Sequence, residues 1–448
     1  MTDLRRRGFL GQSVAGMSAL AASPWLLGQE GKAPASERLR VGCIGVGGRA
    51  SFLMKAFAAQ KDVDLLMICD VDTNKLPAAV AAVAAINGKK PEAVADYRRV
   101  VEHKDLDVVV IGTPDHWHAI PTILACQAGK DVYVEKPDGH NIVEGQRMVA
   151  AQKKHKRIVQ MGTQSRTTPH FREAMDYIKS GKLGRCLVAK AWESSKQGSI
   201  GRPADSTPPA GVDYDVWIGP AQKKPFNIRR FHGNWRWFFD LGTGDLGNDG
   251  VHRLDVARWA LSTAVEAEGG QPLGLPQVIT ATGGKWYFDD MQEWPDTLQV
   301  NYEFSPPAAG KPGRLLTYEM RVWAPYDYLD ESEGAALFGD QGYIVIGNGK
   351  WRAFDNKKKV VAQGGGDYDG AGHIRNFLDC VKSRQKPNAD LETIGHPSSI
   401  LCHAGNVAWR TGHRLSLDPA TEMFDNDPEA NALRSRKEYR APYLLPEV

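Results

Sequence analysis

The stretch LRVGCIGVGGRA, residues 39–50, joins an apolar run to a glycine-rich turn, and the helical pattern SFLMKAFAAQ follows it. The turn has the form G-x-G-x-x-A, in which Gly45 allows a tight turn and Gly47 lets the backbone approach a pyrophosphate. Ala50 is small enough for the helix and the strand to pack closely, and the amides at the helix start face the phosphates. The stretch therefore predicts a strand–turn–helix unit that binds a dinucleotide.

A second apolar run, VDLLMICDVD, indicates which dinucleotide binds because it contains Asp70 at its carboxyl end. An acid at this position accepts hydrogen bonds from the adenosine ribose hydroxyls and repels a 2′-phosphate. The sequence therefore favours NAD. NADP stays possible, since Arg49 in the phosphate loop could serve either cofactor. The predicted contacts of this half of the cofactor are Gly45, Gly47, Gly48, Arg49 and Asp70.

Strand and helix patterns alternate from residue 39 to about residue 162. Apolar runs such as LDVVVIG are continuous, as expected where helices cover both faces of a sheet. This alternation predicts an α/β fold with a doubly wound parallel sheet, the Rossmann type. The chain of 448 residues is long enough for two or three domains. We expect a Rossmann domain over residues 36–162 and a second domain over residues 163–448.

The second domain has a different pattern. Strand-like runs follow one another without helices between them at PQVITATGG, TLQVNYEF, RLLTYEMRVW and YIVIG. Helical patterns come late, at HIRNFLDCVKS and SSILCHAGNVAWRTG. Consecutive strands of this kind predict an open antiparallel sheet in a C-terminal α/β domain.

Composition argues against several classes of protein. The net charge is only +3 with 24% charged residues, so we expect no nucleic-acid partner. The six cysteines lack C-x-x-C spacing, and no His/Asp/Glu set has ligand spacing, so we expect no metal site. No segment approaches the about 18 apolar residues of a membrane helix, which predicts no stable membrane span.

The first 35 residues have the features of an export signal. A basic start is followed by a mildly apolar stretch, then by small residues and proline. Arg6 and Arg7 begin the pattern R-R-x-F-L, which marks twin-arginine export. A basic amphipathic tail is the alternative. The expectation is a signal peptide over residues 1–35 and a location in the periplasm or cell envelope.

Three strand-end motifs follow the glycine turn in order: GTPDHWH at 112–118, EKP at 135–137 and GTQSR at 162–166. With that turn, they resemble the Gfo/Idh/MocA family, the glucose–fructose oxidoreductase and inositol dehydrogenase group. The resemblance extends from about residue 38 to the C-terminus. It implies a Rossmann domain followed by an α/β domain whose open sheet often mediates homo-oligomers.

The resemblance also implies roles for strand-end residues. Lys136 would lie beside the nicotinamide and the reacting sugar carbon, where it could transfer the hydroxyl proton. Thr113 and Pro114 would pack against the cofactor, with His118 and Glu135 near it. The alternative for Lys136 is a surface lysine paired with Glu135.

A further motif, GNDGVHRLD, lies in the second domain. By resemblance, His252 is a second proton-transfer or substrate-orienting group. The family's aspartate falls on Asn248, with Asp249 one place later, and an asparagine could hydrogen-bond a hydroxyl but not accept its proton. The remaining predicted substrate contacts are Gln164, Arg166 and Trp235. His252 could instead be a helix-capping or core histidine, and Trp235 a core residue.

These features together predict an NAD(P)-dependent oxidoreductase that transfers hydride between a ring hydroxyl carbon of a carbohydrate and nicotinamide. One alternative is a redox glycosidase, which oxidises a glycoside transiently so that its glycosidic bond can be eliminated. The other is a non-catalytic sensor that binds the cofactor. Neither the sugar nor the direction of the reaction can be deduced from the sequence.

Overall fold

The structure, a computed structural model, describes residues 37–306, 310 and 312–448, and the predicted export signal lies outside this range. Its first sheet has six parallel strands in the order β3-β2-β1-β4-β5-β6. The strand order reverses between β1 and β4, and the crevice at such a point binds ligands in open α/β sheets. The strands are β1 (Leu39–Ile44), β2 (Val63–Cys69), β3 (Glu92–Val94), β4 (Val108–Ile111), β5 (Asp131–Val134) and β6 (Val159–Met161).

Helices connect these strands and cover both faces of the sheet. Every residue of β4 and of β5 is buried, which explains their uninterrupted apolar sequences. The predicted doubly wound Rossmann sheet is therefore confirmed. The helices are α1 (Gly48–Ala58), α2 (Leu76–Asn87), α3 (Tyr97–Glu102), α4 (Ala119–Gln127) and α5 (Ile142–His155).

The second sheet has nine strands in the order β14-β13-β12-β11-β7-β10-β9-β8-β15. It is antiparallel except where β7 pairs with β10 in parallel. The prediction of an open, mostly antiparallel sheet is confirmed. The strands are β7 (Cys186–Glu193), β8 (Val278–Gly284), β9 (Thr297–Phe304), β10 (Arg314–Arg321), β11 (Glu333–Gly339), β12 (Gly342–Ile346), β13 (Lys350–Asp355), β14 (Val360–Gly365) and β15 (Leu415–Ser416).

One face of this sheet is packed and the other is open. Along β9, Leu298, Val300 and Tyr302 are buried, whereas the intervening Gln299 and Asn301 are exposed. This period-two alternation is typical of an antiparallel sheet with one solvated face. The helices of this half are α6 (Pro169–Lys179), α7 (Tyr214–Ile218), α8 (Val251–Ala267), α9 (Gly370–Ser383), α10 (His396–Thr411) and α11 (Pro428–Ala432). Among the described helices, none combines the length and apolar character needed to cross a bilayer.

The domain boundary at residue 163 stays a prediction, and later parts of the chain return to the core of the first domain. Phe377 and Leu378 of α9 lie in the core of the Rossmann sheet, and the rings of Phe377 and Phe57 are 6.2 Å apart. Near the C-terminus, Tyr443 joins the core on the other face of that sheet. An amphipathic pattern shows that a helix has an apolar face, but not which core that face packs against.

Candidate active site

The glycine turn after β1 leaves an open cradle at the start of α1. Gly45 has φ +89°, and a Cβ atom there would lie 3.0 Å from the carbonyl oxygen of Gly112. A Cβ atom at Gly47 would lie 2.9 Å from Nζ of Lys75. Gly112 in turn packs so closely on Ala50 that its own Cβ would lie 2.6 Å from that of Ala50. Only small residues fit Gly45 and Gly112, and the turn brings backbone amides to the helix N-terminus, where phosphates bind.

Asp70 follows β2, and two backbone amides hold its carboxylate in place. Its Oδ2 accepts a hydrogen bond from the amide of Val46 at 3.0 Å, and its Oδ1 accepts one from the amide of Asp72 at 2.9 Å. These bonds fix the carboxylate beside the glycine turn, where the ribose of a dinucleotide would lie. Lys75 lies near it, 3.8 Å from Asp72.

A cleft of about 370 Å³ runs along the carboxyl edge of the Rossmann sheet and is lined by residues of both halves of the chain. Its size falls in the range of small-molecule sites. Eleven predicted site residues line it: Gly45, Gly47, Gly48, Arg49, Asp70, Thr113, Pro114, Glu135, Lys136, Trp235 and Asn248.

Lys136 follows β5 and connects the two halves of the site. Its Nζ donates hydrogen bonds to the backbone oxygen of Asn248 at 2.6 Å and to its Oδ1 at 3.2 Å. Asn248 lies in a π-helical turn, Leu246–Gly250, directly before α8. Such wide turns are rare and occur frequently at functional sites. Lys136 is half-buried, so its ammonium is directed into the cleft rather than free in solvent.

Glu135 has a different partner from the one in the surface-lysine alternative. Its Oε1 accepts a hydrogen bond from Nε of Arg49 at 2.9 Å, while Lys136 contacts Asn248. Burial alone would raise the pKa of Glu135, but the nearby charges of Arg49 and Lys136 hold it below its ordinary value. A charged carboxylate therefore lies at the floor of the cleft and fixes Arg49 there.

His252 lies in the first turn of α8 and is half-buried. Its Nδ1 is buried and has no hydrogen-bond partner among the residues that the structure describes. Burial, followed by the charge of Lys136, lowers the pKa of His252 well below its ordinary value. The imidazole is consequently neutral near pH 7, although it does not itself line the cleft.

Two predicted substrate contacts turn away from the cleft. Arg166 donates from Nε and Nη2 to the carboxylate of Asp255 at 2.9 and 2.8 Å, and its guanidinium lies 4.5 Å over the ring of Trp259. Gln164 is buried, donates to the hydroxyl of Tyr133 and accepts from that of Tyr368. Gln164 and Arg166 do not line the cleft and have buried partners, so their contact with the substrate stays a prediction.

His118 and Asp249 support the cleft rather than line it. The ring nitrogens of His118 lie 2.6 Å from the carbonyl oxygen of Pro137 and 2.9 Å from that of Thr113, which links two strand ends. Oδ2 of Asp249 accepts from Nδ2 of Asn248 at 3.0 Å. Burial and the charge of Asp249 raise the pKa of neighbouring Asp245 to about 7. Asn248 thus makes the contact with Lys136, and Asp249 orients Asn248.

Several cleft residues have no sequence signal. Trp217 and Arg236 line the cleft together with the predicted Trp235, but the neighbouring Trp237 and Phe238 are buried in the core. The sequence does not distinguish Trp235, which lines the cleft, from Trp237 and Phe238, which are buried, since all three occur in one short aromatic segment. Within the described residues, no set of three or more His, Cys, Asp or Glu side chains is placed to hold a metal ion.

Two family models match the chain. The oxidoreductase family's NAD-binding Rossmann fold matches residues 39–163, and its C-terminal alpha/beta domain matches residues 187–269 and 339–445. A glycosyl hydrolase family 109 protein of Shewanella baltica is 32% identical over 215 residues, 43% of this chain and 46% of that protein. The chain thus matches somewhat less than half the length of this curated relative.

Solved structures share the fold. The WlbA dehydrogenase from Bordetella pertussis, in complex with NADH and UDP-GlcNAcA, is 18% identical with a TM-score of 0.61, covering 85% of this chain and 99% of that one. The aldose-aldose oxidoreductase from Caulobacter crescentus, complexed with glycerol, is 19% identical with a TM-score of 0.61, covering 85% and 100%. These structures share the fold, and the two model matches show that the chain belongs to the Gfo/Idh/MocA oxidoreductase family and carries its NAD-binding Rossmann domain.

Proposed function

We propose that this protein is an NAD-dependent oxidoreductase that transfers hydride between a carbohydrate ring carbon and the nicotinamide. The observation that carries the proposal is the position of Lys136, whose Nζ is held by Asn248 inside the cleft that begins at the glycine cradle. A proton-transferring group there stands at the carboxyl edge of the sheet, where open α/β folds bind ligands.

The residues present fit the cofactor. Gly45, Gly47 and Gly48 line the cleft with backbone that carries no side chain, and the start of α1 provides amides for the pyrophosphate. Asp70 would hold the ribose hydroxyls, which favours NAD over NADP. When bound, the nicotinamide supplies a two-electron hydride acceptor or donor. Titration of the purified chain with both cofactors checks the preference, and tighter binding of NADP would contradict the role of Asp70.

Proton transfer falls to Lys136 and His252. For reduction, the ammonium of Lys136 would donate a proton to the sugar's carbonyl oxygen, and for oxidation the amine would accept the hydroxyl proton. His252 is neutral and can hold or accept a proton from a neighbouring hydroxyl. Asn248 orients Lys136 but accepts no proton, because an amide is not a base near neutral pH.

A redox glycosidase is the second candidate. It is favoured by relatives named glycosyl hydrolase family 109 proteins, including one 33% identical over 167 residues from a Shewanella species. In this reaction a ring carbon is oxidised, the glycosidic bond is eliminated, water adds and the carbon is reduced again. The same Lys136 and His252 would move the protons, but no NADH accumulates.

One experiment separates these functions. The NAD-loaded chain is incubated with glucosides, galactosides, free sugars and inositols, while nicotinamide absorbance and product mass are followed. A keto-sugar formed with stoichiometric NADH identifies the dehydrogenase, whereas released aglycone without NADH identifies the glycosidase. Binding of NAD without conversion of any carbohydrate would refute both and leave the cofactor-binding sensor.

We also propose that the protein is exported by the twin-arginine route to the periplasm or cell envelope, since Arg6 and Arg7 begin the required pattern. A homo-oligomer through the open face of the second sheet is part of the proposal. It is supported by a ladder of half-buried rings on that sheet, in which Tyr343 stacks on Phe354 at 4.6 Å and on Phe338 at 6.0 Å. Light scattering on the purified chain checks it, and a monomer at all concentrations would contradict it.

A further inference from the structure

A second cavity, of about 540 Å³, shares no lining residue with the cofactor cleft. One wall is a single face of α10, formed by His403, Asn406, Val407 and Arg410, which recur at three- and four-residue spacing. The segments that close it are residues 140–142, residues 239–243 and the tail 432–438. Its volume lies in the range of small-ligand sites.

Arg436 brings an incompletely paired guanidinium to this cavity. Its side chain is only 6% exposed, and it is anchored through Nε to Glu144 and through Nη1 to the backbone oxygen of Asp240 at 2.8 Å. Nη2 is buried and finds no hydrogen-bond partner in the described part of the chain. A buried donor without a partner costs free energy unless a ligand or water completes it.

Among the described residues, His140 has a hydrogen-bond acceptor without a partner, whereas Arg436 has a donor without one. Its Nε2 lies 2.8 Å from the carbonyl oxygen of Phe239. A carbonyl only accepts, so Nε2 carries the proton. Burial lowers the pKa of His140 well below its ordinary value, so the ring is neutral and Nδ1 is a lone-pair acceptor. This Nδ1 is buried and accepts nothing from the residues described.

Arg410 adds an unpaired positive charge at the opening of the cavity. Its guanidinium lies 4.6 Å over the ring of Phe239, and it is exposed. In the described structure it forms no hydrogen bond or ion pair, and Asp240 in the cavity wall is paired with Lys224 at 2.8 Å. Stacking on Phe239 fixes the orientation of the guanidinium and leaves its N–H groups available.

We propose that this cavity is a second ligand site, which takes a small hydroxylated compound bearing an oxyanion, either a carboxylate or a phosphate. Arg410 and Arg436 bind the oxyanion, since guanidinium groups pair with both kinds of anion through two N–H bonds. A ligand hydroxyl donates to Nδ1 of His140. A neutral sugar would satisfy His140 but leave Arg410 without an anionic partner.

Calorimetric titration of the full, NAD-saturated chain tests the site with three probes: glucuronate, glucose 6-phosphate and glucose. We expect saturable binding of at least one anionic probe with one site per chain, and at least tenfold weaker binding of glucose. Arg410→Gln should weaken the anionic probe at least tenfold, whereas Arg414→Gln should leave it unchanged. Arg414 is a matched control because it is exposed just beyond α10, pairs with Glu303 and does not line the cavity.

A second variant tests whether the probe binds in this cavity or elsewhere on the protein. Ser435 is half-buried in the cavity wall, so Ser435→Trp should block binding while the melting temperature stays within a few degrees of the parent. The proposal is overturned if neither anion binds, if glucose binds as tightly as glucuronate, or if the Arg410 and Arg414 variants weaken binding equally. Unchanged binding in folded Ser435→Trp would also overturn it, since the probe would then lie elsewhere.

Discussion

Replacing Arg166 tests whether this residue stabilises the fold or binds the substrate. Arg166 and Asp255 form a bidentate ion pair in which the two side chains are 7% and 0% exposed. Arg166→Met keeps much of the side-chain volume but leaves buried Asp255 without its ion pair, and the hydroxyl of Ser398, at 2.7 Å, remains as its side-chain hydrogen-bond partner among the described residues. We therefore expect the variant to lose stability, not substrate affinity.

The size of the loss follows from the burial of the pair. Removing one partner of a buried ion pair costs about 3–5 kcal/mol. The remaining Ser398 bond argues for the lower end of that range. At about 2–4 °C per kcal/mol for a domain of some 200 residues, a loss of about 3 kcal/mol should lower the melting temperature by about 6–12 °C.

Thermal unfolding of the NAD-bound chain measures this shift. Arg172→Met is the matched control, because Arg172 is exposed on neighbouring α6 and should change stability by less than about 0.5 kcal/mol. Adding Asp255→Asn to Arg166→Met should recover about 1–3 kcal/mol, since it removes the unpaired charge and keeps an oxygen for Ser398. A melting temperature within 2 °C of the parent, together with weaker carbohydrate binding, would refute the reasoning and return Arg166 to the substrate site.

Three further outcomes are expected. Lys136→Met should lower turnover at least a thousandfold, because the proposed role of the lysine is to transfer a proton. The affinity for NAD, measured by fluorescence titration, should change less than about threefold, since the glycine cradle is the proposed cofactor site. Unfolding of the variant would instead indicate a structural lysine. Burial opposes protonation of His396, but two adjacent carboxylates overcome it and raise its pKa to about 10 from 6.5, so its contribution to stability is complete below pH 6.5 and is lost as the pH rises towards 10. Urea unfolding should therefore show that His396→Gln destabilises the chain most near pH 6.5 and progressively less towards pH 10; a constant difference would contradict the ion pair. Replacing both Arg6 and Arg7 by lysine should retain the protein in the cytoplasm, as cell fractionation would show, and unchanged export would exclude the twin-arginine route.

The features that could be predicted from sequence are those determined by local geometry. Gly45 adopts φ +89°, which favours glycine, and Lys136 follows a buried strand whose end is at the sheet's ligand-binding edge. These constraints act on residues that are close in the sequence, so they produce a sequence pattern that can be recognised. The doubly wound sheet follows in the same way from its alternating apolar runs.

The features that could not be predicted depend on contacts between side chains that are distant in the sequence. The motif GTQSR correctly predicts a strand end. Arg166 in this motif nevertheless pairs with Asp255, 89 residues later in the sequence, and does not line the cleft. Likewise, α9 is amphipathic, but only the tertiary structure shows that Phe377 packs in the first domain. Long-range pairing of this kind has no signal in a single sequence, since many buried carboxylates could have met the same arginine.

Asn248 shows how such pairing bears on the chemistry. An aspartate at this position could take the hydroxyl proton, whereas the amide can only present its oxygens to Nζ of Lys136. Asp249 does not replace the missing base in the described contacts, because its carboxylate accepts from Nδ2 of Asn248. Neutral His252 stands one turn further along the same helical segment, with its buried Nδ1 unpaired. In the proposed reaction, the proton that leaves the hydroxyl has two candidate acceptors, Lys136 and His252, and the π-helical turn carries the asparagine that orients the first of them.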